Sequence, residues 1–177
     1  MDDLNRRALS GVSKEKASSE EAFEAFLQER YGKVVSAVRL IVREQATAED
    51  IAQEAFARAF IHWAKLWPDG NPVGWVHRVA TNLALSLKTR AGREIRALQR
   101  LGKRTSLESP APDAYPELHA AVASLPSRQR AAVALYYVLD LSVEDCAKAL
   151  KCKEGTVKSL LFNAREGLRK TLGEDYR

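Results

Sequence analysis

Apolar side chains recur every three to four residues along most of this chain, the period of an α-helix packed on one face. The pattern begins with Phe23, Phe26, Leu27, Tyr31, Val34, Val38 and Ile41, and nothing before Ser18 is periodic. A first helix over about residues 19 to 43 is expected, behind a loose tail of residues 1–18. Thr47, with Asp50 three residues on, has the form of a capping box and opens a second helix that Pro68 and Gly70 end. Asn71 before Pro72 suits an N-cap and first helical position, starting a third helix through Val76, Val79, Leu83 and Leu87. No stretch alternates with the period of a strand, so the class is all-α.

At residues 105–116 the periodic text gives way to "TSLESPAPDAYP", whose three prolines and small residues mark a flexible linker. Helical spacing resumes at Leu118, Val122 and Leu125 and continues to the C-terminus. The organisation expected is two small helical domains, residues 19–104 and 117–177, joined by that linker. In the second, Ser142 can cap a short helix through Leu150. A break at residues 151 to 153 follows, then a longer helix with Val157, Leu161, Ala164 and Leu168 on one side. This is the layout of a helix-turn-helix, whose second helix enters the DNA major groove with its first turns toward the bases. It would offer Gly155, Thr156, Lys158, Ser159 and Phe162 there, with Lys158 and Arg165 on phosphates and Thr156, Ser159 and Phe162 on base edges. Two packed helices with a polar face would have the same spacing.

The second helix has one face too many. Ala48, Ile51, Ala52, Ala55, Ala59 and Trp63 of "DIAQEAFARAFIHW" and its flank can face the first helix, which leaves Asp50, Gln53, Glu54 and Ala57 as a separate stripe bordered by Phe56. Such a stripe permits a partner and is also what a solvated face looks like.

Charge changes the picture only through its distribution. The net charge is +5, yet residues 87–104, "LKTRAGREIRALQRLGKR", hold seven bases against one acid, a candidate phosphate track or a solvated helix end. Cys146 and Cys152 cannot build a disulfide framework and have no zinc-site spacing, so burial as small apolar residues is expected of them. His62, His77 and His119 are dispersed, with no metal site, cofactor site or catalytic constellation among them. The longest apolar run, residues 131–139, is far short of the ~20 residues that span a bilayer, and the N-terminus lacks the apolar stretch of a signal peptide. A cytoplasmic, non-enzymatic protein without membrane insertion is expected.

Four segments, in order, resemble the extracytoplasmic-function group of bacterial RNA polymerase sigma factors: "EDIAQEAFARAF", "GWVHRVATNLALSLKTR", "LPSRQRAAVALYYVLDLSVEDCAKAL" and "EGTVKSLLFNARE". The resemblance covers about residues 21 to 172. It implies that Asp50, Gln53, Glu54 and Phe56 dock on the clamp of the polymerase beta-prime subunit. Trp75 would brace the third helix, while Arg78, Thr81 and Asn82, with Lys88 and Arg90 beyond, hold the separated -10 strand. The "WPDGNP" loop would help to pocket a flipped base. Gly155, Thr156, Lys158, Ser159, Phe162, Asn163 and Arg165 would meet the -35 duplex, and the second domain the beta flap. Core RNA polymerase, promoter DNA and an anti-sigma factor are the partners implied, with no cofactor.

The chain departs from the family pattern in places. Leu160 and Asn163 stand where basic residues are usual, Lys151 where the turn normally has glycine, Cys146 and Cys152 where aliphatic residues are customary, and Ser86 where an acid often follows the -10 reader. A conventional helix-turn-helix regulator, binding duplex operator without polymerase, is the competing reading. A nucleic-acid-processing enzyme would need clustered acids or a nucleophile site, which the sequence lacks.

Overall fold

A computed structural model describes the backbone of residues 2–67, 70–100 and 116–173, and the side chains of residues 19–67, 70–90 and 116–173. The described residues form helices only. In the first half these are α1 (Asp2–Val42), α2 (Gln45–Ile61), the short α3 (Trp63–Leu66) and α4 (Pro72–Arg100). The second half contains α5 (Pro116–Ser124), α6 (Ser127–Val133), α7 (Val143–Leu150) and α8 (Glu154–Leu172). The expected linker lies outside the described residues up to Pro116, where α5 starts.

Two helix starts differ from the sequence expectation. The first helix begins at Asp2 rather than near residue 19, so the expected loose tail continues as helix. That stretch has no proline and is rich in Leu, Ala, Arg, Lys and Glu, which favour a helix without any apolar stripe to announce it. The second helix is capped by Glu44, not Thr47: the Glu44 carboxylate accepts the Thr47 backbone N–H at 2.9 Å and the Thr47 hydroxyl as well. A glutamate folded back on the first turn does the work of the usual short cap residue. Elsewhere the caps are those expected. Asn71 Oδ1 accepts the Gly74 N–H at 2.8 Å, and Ser142 Oγ accepts the Asp145 N–H at 3.0 Å.

Val34, Val38 and Ile41 of α1 meet Ala48, Ala52, Ala55 and Ala59 of α2 and Val76, Ala80 and Ala84 of α4 in one buried layer. Alanine on facing helices lets the backbones approach closely, and the larger α1 side chains fill the remaining space. The same apolar cluster continues without a break into the second half, through Ala131, Leu135, Cys146, Leu150, Val157 and Leu161. The two helical groups therefore pack on one another, chiefly α4 against α7 and α1 against α6 and the turn that follows it. After Val133 the chain widens into a π-helical turn, Ala134–Val138, closed by the Leu139 N–H on the Ala134 carbonyl at 3.1 Å. This leaves Leu135 inside and turns Tyr136 and Tyr137 outward, their rings edge-on at 5.0 Å.

Arg130 ties the groups together. It is 7% exposed and donates through Nη1 to the carbonyls of Ala123 (2.9 Å) and Leu125, and through Nη2 to that of Ile41 at 3.4 Å.

His77, buried on α4, lines a crevice of about 260 Å³ between α1, α4 and the turn after the π-helical segment. Burial, and then the neighbouring Arg30 charge, lower its imidazole from 6.5 to about 4. A base with a depressed folded pKa contributes stability while both states are neutral and loses it as pH falls. The unfolded imidazole protonates near pH 6.5 and the folded one only near pH 4. Between pH 7 and pH 4.5, urea unfolding is expected to show wild type losing about 2 to 3 kcal/mol more than His77→Leu. Equal losses in the two proteins would mean that His77 is not held neutral.

Candidate nucleic-acid and polymerase interface

Three exposed faces carry the residues singled out in the sequence. The first lies on α2, where Asp50, Gln53, Glu54 and Ala57 are all exposed on the side away from α4. Glu54 pairs with Arg58 one turn on at 2.7 Å. Phe56 does not stand with them. It is 3% exposed and its ring packs on Phe26 and Tyr31 at 5.5 and 5.8 Å. It lies beneath the polar stripe, not in it. Beside the polar stripe, α1 and α2 leave an open apolar groove of about 680 Å³, lined by Phe23, Leu27, Tyr31, Gln53, Phe56 and Phe60 among others. Phe60 is half exposed at its edge and rests on Phe23 at 4.9 Å. Trp63 fixes the far end through its indole N–H on the Ser19 carbonyl at 2.9 Å and rings at 5.1 and 5.3 Å from Phe23 and Phe26. The sequence reading missed this groove. Its signal was Phe56 and Phe60, one turn apart, opposite Phe23 and Tyr31.

The second face is the start of α4. Asn71, Trp75, Arg78 and Asn82 follow one another at helical spacing. Trp75 is braced edge-on by His62 at 5.6 Å. Of the "WPDGNP" loop, Pro68 and Asp69 lie outside the described residues. Gly70 sits so close to the end of α3 that a Cβ there would lie 2.6 Å from the Leu66 carbonyl oxygen. Thr81 is not on this face: it is 3% exposed and turned inward with Ala80 and Ala84. The resemblance had implied that Thr81 contacts the strand beside Arg78 and Asn82, but α4 is packed on α1, α2 and α7, which leaves only a narrow outward strip.

Lys88 is half-buried rather than free along a phosphate track. Burial, then the Arg130 and Arg43 charges, lower its pKa, and Glu44 opposes them. Arg90 is exposed, and the basic side chains beyond it lie outside the described residues. Trp75 and Arg78 also line a second crevice of about 260 Å³, whose opposite wall is Leu141, Asp145, Lys148 and Ala149. The first turns of α4 thus face α7.

The third face is the start of α8. Gly155, Thr156, Lys158, Ser159, Phe162, Asn163 and Arg165 are all exposed, while Val157, Leu161 and Ala164 hold the helix to its neighbours. Phe162 is 58% exposed, a large apolar ring presented among donors. Leu160 is partly buried against the core, so the position where a basic residue is usual serves packing here. Gly167 lets α8 approach the α5–α6 connection, since a Cβ there would meet a Leu125 methyl at 2.9 Å. Donors spaced along an exposed helix beside a cationic turn can hold phosphates and read base edges.

Among the described residues no cluster of three or more His, Cys, Asp or Glu could hold a metal ion. No helix there is long and apolar enough to cross a membrane.

Residues 26–94 match the family model of sigma-70 region 2, and residues 115–168 that of sigma-70 region 4. The ECF RNA polymerase sigma factor SigE of Mycolicibacterium smegmatis is 38% identical over 138 residues, covering 73% of this chain. The match spans 53%, about half, of that relative's length. The RNA polymerase sigma-E factor of Streptomyces coelicolor is 30% identical over 157 residues, covering 85% of each chain. In fold, the sigma factor RpoE of Bartonella quintana, crystallised with the anti-sigma factor NepR, is similar at a TM-score of 0.74 and 23% identity. That likeness covers 88% of this chain and 99% of the other.

Proposed function

The chain belongs to the extracytoplasmic-function group of RNA polymerase sigma factors, and on that premise we propose that it is a promoter-specificity subunit. It binds core RNA polymerase, recognises -35 and -10 elements and helps to melt the -10 region. It carries out no chemistry of its own and works where polymerase works, in the cytoplasm. Residues 19–104 and 117–177 act as its two promoter-binding parts, with residues 105–116 between them.

Each face takes one task. Asp50, Gln53 and Glu54, with the groove beside them, dock on the beta-prime clamp, and Phe56 supports that surface from below. Trp75, Arg78 and Asn82 hold the unpaired -10 strand, where an unstacked base offers both an edge and a face to be read. Lys88 and Arg90 hold its backbone. Gly155, Thr156, Lys158, Ser159, Phe162, Asn163 and Arg165 meet the -35 duplex, and the second group touches the beta flap. An anti-sigma factor is the antagonist that fits such a subunit, since an uncommitted sigma factor must be withheld until needed.

One observation favours this over a regulator that binds duplex alone. The docking groove on α1 and α2 is open, while Trp75 and Arg78 face α7. A polymerase face that stands open beside a -10 face walled by the second group suits a polymerase subunit better than a regulator.

The test is run-off transcription by reconstituted holoenzyme on a promoter selected with that holoenzyme, with a normal template and one pre-opened across the -10 region. Asn82→Ala is expected to lower output from the normal template. Losing an amide that reads a base costs about 1 to 3 kcal/mol of discrimination. The pre-opened template should restore most of that output. Wild-type output from the variant on the closed template would remove Asn82 from the reader. A free chain that retains duplex as tightly as holoenzyme does would favour the regulator.

A further inference from the structure

The end of α7 folds Cys152 back onto the last turns of the helix that carries Cys146. Lys151 is left-handed (φ 51, ψ 51), the Cys152 N–H donates to the Ala147 carbonyl at 3.0 Å, and the Lys151 N–H to that of Lys148 at 3.4 Å. These are the two bonds of a Schellman motif. In that motif the residue after the left-handed one folds back onto the side chains three or four positions before the cap, here Ala147 and Cys146. Cys152 packs against the apolar cluster that contains Cys146, and both cysteines are free. Their exposures differ. Cys146 is 0% exposed, its thiol turned toward the Leu141 carbonyl at 3.9 Å. Cys152 is partly exposed and opens on a groove also lined by Glu144, Lys148, Lys151, Lys153 and Glu154.

We propose that Cys146 and Cys152 are a reversible dithiol/disulfide site, oxidised by a peroxide, whose closure displaces the start of α8 and disables -35 recognition. The second half of that statement rests on the sigma-factor reading; the first does not.

Cys152 is the entry point, because it is the more exposed of the two thiols and opens on a groove that admits a small oxidant. Its sulfur attacks a peroxide oxygen. An S–O bond forms, the O–O bond breaks, and the departing hydroxide takes a proton and leaves as water. Cys146 then attacks the sulfenic sulfur, losing its own proton. The S–S bond forms, the S–O bond breaks and a second water leaves. Overall two thiols lose two electrons, and one hydrogen peroxide becomes two waters. Burial, chiefly, raises the Cys146 thiol to about 11, so the resolving step accelerates with rising pH.

A bridge needs Cα atoms about 4.4 to 6.8 Å apart and a fixed sulfur torsion, so closing one draws Cys152 further onto the turn that carries Cys146. Meeting that torsion tightens a turn already held left-handed at Lys151. Because α8 begins only two residues after Cys152, Gly155 and Thr156 shift with it.

The experiment treats reduced full-length protein with hydrogen peroxide, reads intact mass and peptide linkage without reductant, and assays the same samples as holoenzyme in run-off transcription. Wild type is expected to lose the mass of two thiol hydrogens through a linkage between Cys146 and Cys152, faster at higher pH. Transcription should fall by at least about tenfold and return with dithiothreitol. Cys152→Val should keep transcription under peroxide, and Cys146→Val should stop at a sulfenic acid that dimedone traps on Cys152. Over-oxidation or dimers linked between chains, in place of the internal bridge, would overturn the site. A bridged protein that transcribes like the reduced one would overturn its switching role. Should the reduced chain drive no transcription at all, the sigma-factor reading fails while the mass measurement still decides the thiol pair.

Discussion

Alanine at Asp50, Gln53 and Glu54 together is expected to weaken binding to core polymerase by about a hundredfold or more, with helix content and melting close to wild type. The three side chains are exposed, and among the described residues Glu54 pairs with Arg58 one turn on. An exposed pair at that helical spacing contributes only about 0.3 to 0.5 kcal/mol. The fold therefore has little to lose. The interface has more. Truncating one partner of a hydrogen-bonded charge pair that docking buries costs about 2 to 5 kcal/mol. Co-purification with core enzyme and circular dichroism decide it. A folded triple variant retained at wild-type levels would take the docking role away from this stripe.

Arg130→Leu is expected to lower the stability of the free chain by about 3 kcal/mol and to make it susceptible to proteases between its two helical groups. The guanidinium serves the carbonyls of Ala123, Leu125 and Ile41, which leucine would leave buried without a donor. Each orphaned carbonyl costs about 1 to 3 kcal/mol. The offset is electrostatic. Burial and the nearby Arg43 lower the Arg130 pKa, so removing the cation relieves an unfavourable charge and brings the net below the sum. Urea unfolding gives the stability, and limited proteolysis tests the tie between groups. An Arg130→Leu protein within about 0.5 kcal/mol of wild type would show that the apolar contact alone holds them.

Much of this was legible in the residues. The apolar period located the helices, and Asn71 and Ser142 capped where short polar side chains cap. The exposed face of α8 followed from Val157, Leu161 and Ala164 pointing the other way. What escaped has physical reasons. Phe56 and Thr81 sit at boundary positions of their helices, where the side that wins depends on how many neighbours pack there. Periodicity on one helix does not record that α4 is covered from two sides. Glu44 as a cap escaped because a long carboxylate reaches the first turn only through one particular rotamer. Arg130 sat within "LPSRQRAAV" like any surface arginine, and its acceptor at Ile41 is 89 residues away. The apolar groove needed two helices to be seen at once, although Phe23, Tyr31, Phe56 and Phe60 were each plain in the text.

The continuous cluster from Val34 to Leu161 bears on how such chains can be recombined. A helix-turn-helix half grafted from a relative would have to bring more than its own DNA-reading surface. It would need an arginine for the Ile41 carbonyl, and a side chain of the size of Leu135 to seat against α1. Grafts chosen for their recognition helix alone would carry mismatched seams. Their failure would look like lost promoter specificity when its origin was a poorly filled joint.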